Sequence, residues 1–343
     1  MSAPRPPPPS VTPPRLTFFC ELEAAPLSKL FSDPGVIESL TRLGAAISLG
    51  LIDLSAERAA TVRRLHAAGI PVTAWLLLPR EHGYFQHVDN AAESADRFEQ
   101  LREWTRREEL VWAGVGLDIE QDRRALEVFG QRPWRAIPAT LRRAFDGARL
   151  QRGLDGYRAL IARMRAESWR VESYQFPSIA DDRQAGSRLL QRAFGMMDLA
   201  VDREVWMLYS SILPPRGPGW LCSYGPQAQA IAVGSTGGGI DSLPKLGWDE
   251  LRRDLLLARR WVENVYVFSL EGCVEQRLLP RIASIDWTQA DAIPIPITEH
   301  RRIDRLRWAL RIALRASAHV ERMAAALEAR STRAGSPAGR ERR

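Results

Sequence analysis

Val111-Trp-Ala-Gly-Val-Gly-Leu-Asp-Ile-Glu120 is the stretch on which the fold reading turns. It is a short apolar run that ends in two acids. Side chains alternate faces along a strand, so as a strand it points Asp118 and Glu120 one way and Leu117 and Ile119 the other. Carboxylates that close push one pKa up, which is how an acid stays protonated near neutral pH. An apolar strand carrying two acids on one face at its carboxyl end predicts a sheet whose strand ends meet at a site.

Further apolar runs read as strands on either side of Val115–Glu120. They are Leu16–Leu22, Ala46–Asp53, Pro71–Leu78, Arg170–Phe176, Val205–Ser211, Ala230–Thr236 and Val265–Gly272. Between them lie the amphipathic stretches Ala56–Ala68, Ala91–Arg107, Leu141–Glu167, Asp182–Met197 and Trp248–Val262. In the last of these, Leu251, Leu255, Leu256 and Ala258 have the spacing of a helix packed on a sheet. Strands that alternate with helices imply a parallel sheet, and eight such units in about 270 residues predict a closed (β/α)8 TIM barrel with a C-terminal extra helix. A doubly wound open sheet is the other reading. It would carry a glycine-rich phosphate loop after the first strand, where this chain has Glu21-Leu-Glu-Ala-Ala-Pro26. Two connections are unlike plain βα loops. Residues 79–90 are long and aromatic, and residues 213–229 are rich in proline and glycine with Trp220 and Tyr224. In a barrel both lie at the carboxyl face, where substrates bind.

The expected organisation is a disordered proline-rich arm over 1–15, the barrel over 16–290, a linker and basic amphipathic helix over 291–330, and a polar tail over 331–343. With 45% apolar residues the chain has ample core. It has neither an apolar run of the roughly 18 residues that span a membrane nor the apolar segment of a signal peptide, so a cytoplasmic location is expected. Cys20, Cys222 and Cys273 lack metal-ligand spacing and read as buried thiols. The net charge of +7 is misleading, because residues 301–343 carry +8 and everything before them sums to about −1. The barrel is therefore nearly neutral, and a nucleic-acid groove in it is not supported. The basic C-terminal helix reads as packing on the barrel exterior, and also suits contact with a membrane surface or a protein partner.

If the barrel closes, its strand ends bring Glu21, Glu23, Asp53, Asp118, Glu120, Tyr174, Gln175, Tyr209, Ser210, Ser235, Thr236 and Glu271 to one mouth. No lysine, arginine or histidine stands among them. A histidine-ligated zinc or a Ser-His-Asp triad thus has little support. Carboxylates, hydroxyls, an amide and aromatics suit sugar recognition and acid catalysis. Glu120 is the expected general acid, Asp118 its partner, and Glu271 a nucleophile or base across the mouth. Glu21, Asp53, Tyr174, Gln175, Tyr209 and Trp220 are expected to hold the substrate. Asp53 also reads as the cap of a helix that starts after Ser55. No cofactor or metal is expected.

Gly116-Leu-Asp-Ile-Glu120 resembles the end of the fourth-strand motif D-G-x-D-x-D-x-E of chitinase-like glycoside hydrolases, and Met207-Leu-Tyr209 is similar to their sixth-strand M-x-Y-D. The resemblance implies that Glu120 is the acid, that Asp118 orients the substrate and that Tyr209 assists. It covers about ten residues, with Ala113, Gly116 and Ser210 standing where the motifs carry acids. The resulting expectation is a glycosidase that cleaves an oligo- or polysaccharide. A magnesium- or calcium-dependent lyase or phosphodiesterase, and a non-catalytic barrel that binds a glycan or a partner, are the alternatives.

Overall fold

The computed structural model describes residues 12–122, 133–238 and 244–334. The arm before Thr12 and the tail after Ala334 lie outside the described residues. Eight parallel strands close into a barrel in chain order. They are β1 (Arg15–Cys20), β2 (Ala46–Gly50), β3 (Val72–Leu76), β4 (Gly114–Ile119), β5 (Val171–Gln175), β6 (Arg203–Met207), β7 (Ala230–Gly234) and β8 (Asn264–Phe268). Closure is made by β1 on β8, with Phe19 level with Phe268.

The period of two explains how each strand is used. Leu16, Phe18 and Cys20 of β1, and Val115, Leu117 and Ile119 of β4, face outward into the helix-covered core. Phe19, Trp75, Tyr174, Val205, Met207, Ala232 and Tyr266 face inward and fill the barrel. At its amino end, Arg203 Nη1 bonds Glu172 Oε1 at 3.0 Å and the Tyr266 hydroxyl donates to Glu172 Oε2 at 2.7 Å. A buried charge pair of this kind is tolerable only when its lone pairs are met, as they are here. One layer up, the rings of Phe19 and Tyr174 meet edge to face at 4.8 Å, and the Tyr174 hydroxyl shares a 2.8 Å hydrogen bond with Ser48.

This layer gives Gly116 its reason. A Cβ built there would lie 2.3 Å from the Tyr174 hydroxyl oxygen. The missing side chain below Asp118 is the space the tyrosine occupies.

The helices follow the expected pattern, with differences. The first connection holds two helices, α1 (Ala24–Ser32) and α2 (Pro34–Leu43), before α3 (Ala56–Ala67) and α4 (Ala91–Arg107). The stretch expected as one helix over 141–167 is two, Pro133–Ala144 and Gly147–Ala166, with Asp146 accepting from Arg149 N to start the second. The one expected over 182–197 is also two, Ile179–Ala185 and Leu189–Phe194, parted by Gly186 at φ +62°. Strand eight stops at Phe268, short of the expected Gly272, because Ser269 caps a helix over Leu270–Glu275. The C-terminal helix runs over Ile297–Ala334 and lies against Ile179–Ala185 and the helix Gly217–Tyr224. No described helix is long and apolar enough to cross a membrane.

Gly116→Ala should lower the unfolding free energy by about 1–3 kcal/mol through overpacking against Tyr174, against the gain that alanine normally brings to a strand. Urea denaturation reads this directly. An unchanged or raised midpoint would show that the tyrosine ring does not fill that space.

Candidate active site

Parity along each strand decides which strand-end groups face the mouth. From β4, Gly116, Asp118 and Glu120 share the inner face, and Glu21 continues the inner face of β1 above Phe19. Asp118 is 2% exposed, and its Oδ1 is buried with no hydrogen-bond partner. Burial pushes its carboxyl well above the usual range, and the charges of Glu120 and Glu21 push it further. Asp118 and Glu120 share one strand face, so their like charges act on each other. Glu120 is less buried than Asp118 and so the more accessible of the two.

The long connection after β3 supports this strand end. Gln86 is fully buried and forms a short parallel bridge with Ile119. Its backbone N–H donates to Asp118 O, and its side-chain oxygen accepts from Asp118 N, each at 2.8 Å. Its amide nitrogen donates to Leu76 O at 2.8 Å, so one side chain ties β3 to β4. Two residues earlier, Tyr84 holds φ +69°, a left-handed conformation uncommon for an aromatic residue. That turn aims its hydroxyl at Glu21 Oε1, to which it donates.

Glu271 enters from the helix Leu270–Glu275 and not from the end of β8, where it was expected. Its Oε1 accepts weakly from Glu21 N at 3.4 Å, while its Oε2 is buried without a hydrogen-bond partner. Burial pushes its pKa up to about 7; backbone N–H groups hold it back, and the Glu21 charge adds to the rise. The backbone at Gly238, φ +80°, passes so close that a Cβ there would lie 2.4 Å from Glu271 Oε1. Tyr209 borders the same acids. Burial, then Asp118, Glu120 and Glu21, keep its hydroxyl protonated, and its ring lies 5.7 Å from that of Phe268.

The structure thus gathers Glu21, Asp118, Glu120, Tyr209 and Glu271 into one electrostatic neighbourhood. It places the other four expected residues elsewhere. Asp53 is engaged by Arg58, whose Nη2 reaches Oδ2 at 2.7 Å; despite burial this bond and Ser55 hold its pKa down to about 2. The cap of α3 is Ser55 rather than Asp53. Tyr174 is packed inside the barrel. Gln175, its neighbour in sequence, faces the opposite way and donates to Glu204 Oε1 at 2.6 Å. Trp220 stacks parallel to Phe176 with ring centres 6.4 Å apart.

Sequence reasoning missed Tyr84 and Gln86. The one signal for them was the length and aromatic content of residues 79–90. It also missed that helix arginines reach back to the strand ends. Arg58 donates to Gly50 O and Leu22 O, and Arg97 to Leu77 O and Leu51 O.

Among the described residues no three His, Cys, Asp or Glu side chains are arranged to hold a metal ion. Of the six acids expected at the mouth, Glu23 is exposed at the start of α1 and Asp53 is paired with Arg58. A cavity of about 500 Å3 opens elsewhere, on the barrel flank beside Glu204 and Gln229. Its Arg165 and Arg183 are already paired with Asp202, and with Asp198 and Glu204.

No protein-family model matches the chain, and no curated protein is similar to it. Solved structures with similar barrels include a D-psicose 3-epimerase from Clostridium cellulolyticum H10, at 11% identity over 81% of this chain and 99% of that one, TM-score 0.41. A 3-keto-D-glucoside 4-epimerase from E. coli overlaps at 13% identity over 78% of this chain and 98% of that one, TM-score 0.43. A xylose isomerase-like TIM barrel protein from Mycobacterium smegmatis, in complex with magnesium, does so at 13% identity over 81% and 98%, TM-score 0.43. These are sugar epimerases and an isomerase-like barrel, not chitinase-like hydrolases. At such identities and scores they assign no substrate to this chain. The expectation of a chitinase-like glycosidase is corrected by these neighbours.

Glu271 makes stability depend on pH. Its carboxyl has a pKa near 4.3 when unfolded and about 7 when folded, so the folded state binds more protons between those values. Stability contributed by the protonated form is complete at low pH and is lost as pH rises through about 7, by up to roughly 3 kcal/mol. Urea midpoints at pH 5 and pH 8 should differ less in Glu271→Gln than in the unsubstituted protein. Equal pH dependence in the two would show that Glu271 is not buried this way.

Proposed function

We propose that the mouth transfers protons on a small carbohydrate, interconverting sugars by isomerisation or epimerisation next to a carbonyl group. The observation that carries this reading is the placement of a fully buried Asp118, whose carboxyl burial and like charge push up, beside the more accessible Glu120 on one strand face. Pairs of titratable groups whose surroundings push their pKa values apart divide into an acid and a base.

Placement favours this chemistry over cleavage of a ring acetal. Residues two apart on a strand stand roughly 6.6 Å apart at the backbone with their side chains on the same face. They approach a substrate from one side and reach neighbouring atoms. Glycosidic cleavage instead needs carboxyls flanking the scissile bond. A sugar carbonyl and the adjacent C–H are neighbouring atoms. Glu120 takes the proton from that carbon while Asp118 gives its proton to the carbonyl oxygen, which leaves an enediol. Return of a proton to the former carbonyl carbon, with loss of the hydroxyl proton on its neighbour, completes isomerisation, and return to the opposite face of the carbon that lost it completes epimerisation.

The remaining groups fit supporting roles. Tyr209, kept protonated, is a neutral donor for a sugar hydroxyl. Glu21, fixed by Tyr84, supplies the charge that keeps Asp118 protonated. Phe268 and Trp75, with ring centres 6.4 Å apart, give the apolar wall against which a sugar face packs.

The test is proton exchange in D2O over a panel of aldoses and ketoses, followed by NMR at the carbon beside the carbonyl. The full chain should wash deuterium into at least one sugar. Asp118→Asn and Glu120→Gln should each slow this by about 10²–10⁴-fold. Binding of sugars without any exchange, or exchange that survives both substitutions, would refute the reading.

A further inference from the structure

We propose that the C-terminal helix docks this protein on an anionic lipid surface. Its inner face is fixed to the barrel. Ile303, Arg307, Leu314 and Ala318 are buried against the barrel's helices. The Arg307 guanidinium lies 3.5 Å over the Tyr224 ring and bonds Asp181, and Glu321 pairs with Arg192. The helix therefore cannot roll to hide its other side.

That other side is apolar where a surface helix is normally polar. Trp308, Ile312, Val320 and Met323 stand 66%, 44%, 65% and 54% exposed. Their spacing of four, eight and three residues puts them along one stripe. Arginines border it: Arg301, Arg302, Arg305, Arg315 and Arg322 are exposed and make no ion pair among the described residues.

Arg192, which holds Glu321, also donates to Ala144 O at 2.6 Å, at the end of the helix Pro133–Ala144, where Leu141 and Phe145 are 57% and 85% exposed.

Charge selects the occupant. The chain before residue 301 sums to about −1, so the excess positive charge sits on this segment. A second copy would set the same arginines against each other. A surface of negative headgroups over an apolar interior matches both the flanking cations and the stripe.

The test is flotation of the full chain with vesicles of phosphatidylcholine alone, or mixed with phosphatidylglycerol. Retention should be at least about tenfold greater on the anionic vesicles and should weaken with salt. Trp308→Glu with Ile312→Glu should cost about tenfold or more in retention while the thermal midpoint stays unchanged, since both residues are exposed. Arg301→Gln with Arg305→Gln, which removes no apolar surface, should lower it about fivefold per arginine. Equal retention on neutral vesicles, none on either, or full retention by both variants would overturn the proposal. So would self-association abolished by the Trp308 substitution without any vesicle binding.

Discussion

Two carboxyl groups side by side in a buried setting cannot both stay charged, and the mouth of this barrel is organised around that constraint. Asp118 yields its charge because it is the deeper of the pair and because Glu21 stands near as well. Among the described residues no ion pair joins it to a cation that would reverse the balance. The barrel supplies arginines, but it uses them one layer outside. Arg58 and Arg97 spend their donors on the backbone carbonyls at the ends of β1, β2 and β3 and on Asp53. They hold the strand ends in place without entering the acid cluster. Their reach also explains why Asp53 and Asp118 are pushed in opposite directions, one held down to about 2 by its guanidinium and the other raised by burial and like charge.

A protonated acid is useful only if it is held still. Gln86 does this from the connection after β3. By bonding the backbone of Asp118 at both its N–H and its carbonyl and Leu76 O beyond, it continues the β3–β4 pairing by one residue past the end of β3. The same connection turns through Tyr84 to reach Glu21. Support for β1 and for β4 thus comes from one loop, and a disturbance there reaches both sides of the cluster. Below, Tyr174 fills the volume left by Gly116, so Asp118 rests on a packed ring instead of a void. Gly116 is therefore part of the site, although it carries no chemistry.

The barrel was legible because its signal is repeated eight times. Apolar runs of four to eight residues, with helical patterns between most of them, leave few alternatives, and the inward parity of Asp118 and Glu120 needed only the period of two. The site was less legible where parity was ignored. Tyr174 and Gln175 are adjacent on one strand and cannot both face the interior, and Gln175 is the one turned outward to Glu204. Glu271 was misplaced for a local reason. Val265–Gly272 is apolar enough to read as one strand, but Ser269 accepts from Gly272 N and starts a helix three residues earlier. That moves Glu271 from a strand facing β4 to a helical turn leaning on β1. Tyr84 and Gln86 were beyond reach, because their roles depend on the path of an irregular loop.

The C-terminal helix obeys a related logic of unequal faces. Its attachment is polar and specific. Asp181 receives Arg307 and Arg311 and the Tyr224 hydroxyl, and it does so fully buried. Such a bond set fixes rotation about the helix axis more tightly than an apolar contact would, because each donor has one acceptor to meet. An apolar contact alone would let the helix turn Trp308 or Val320 inward and gain burial. The buried Asp181–Arg307 contact prevents this, since turning would strand a charge pair in the interior. The exposed stripe is therefore a consequence of how the helix is held. A chain that fixes a helix with its charges inside, and leaves its tryptophan outside, places its binding energy on the solvent side.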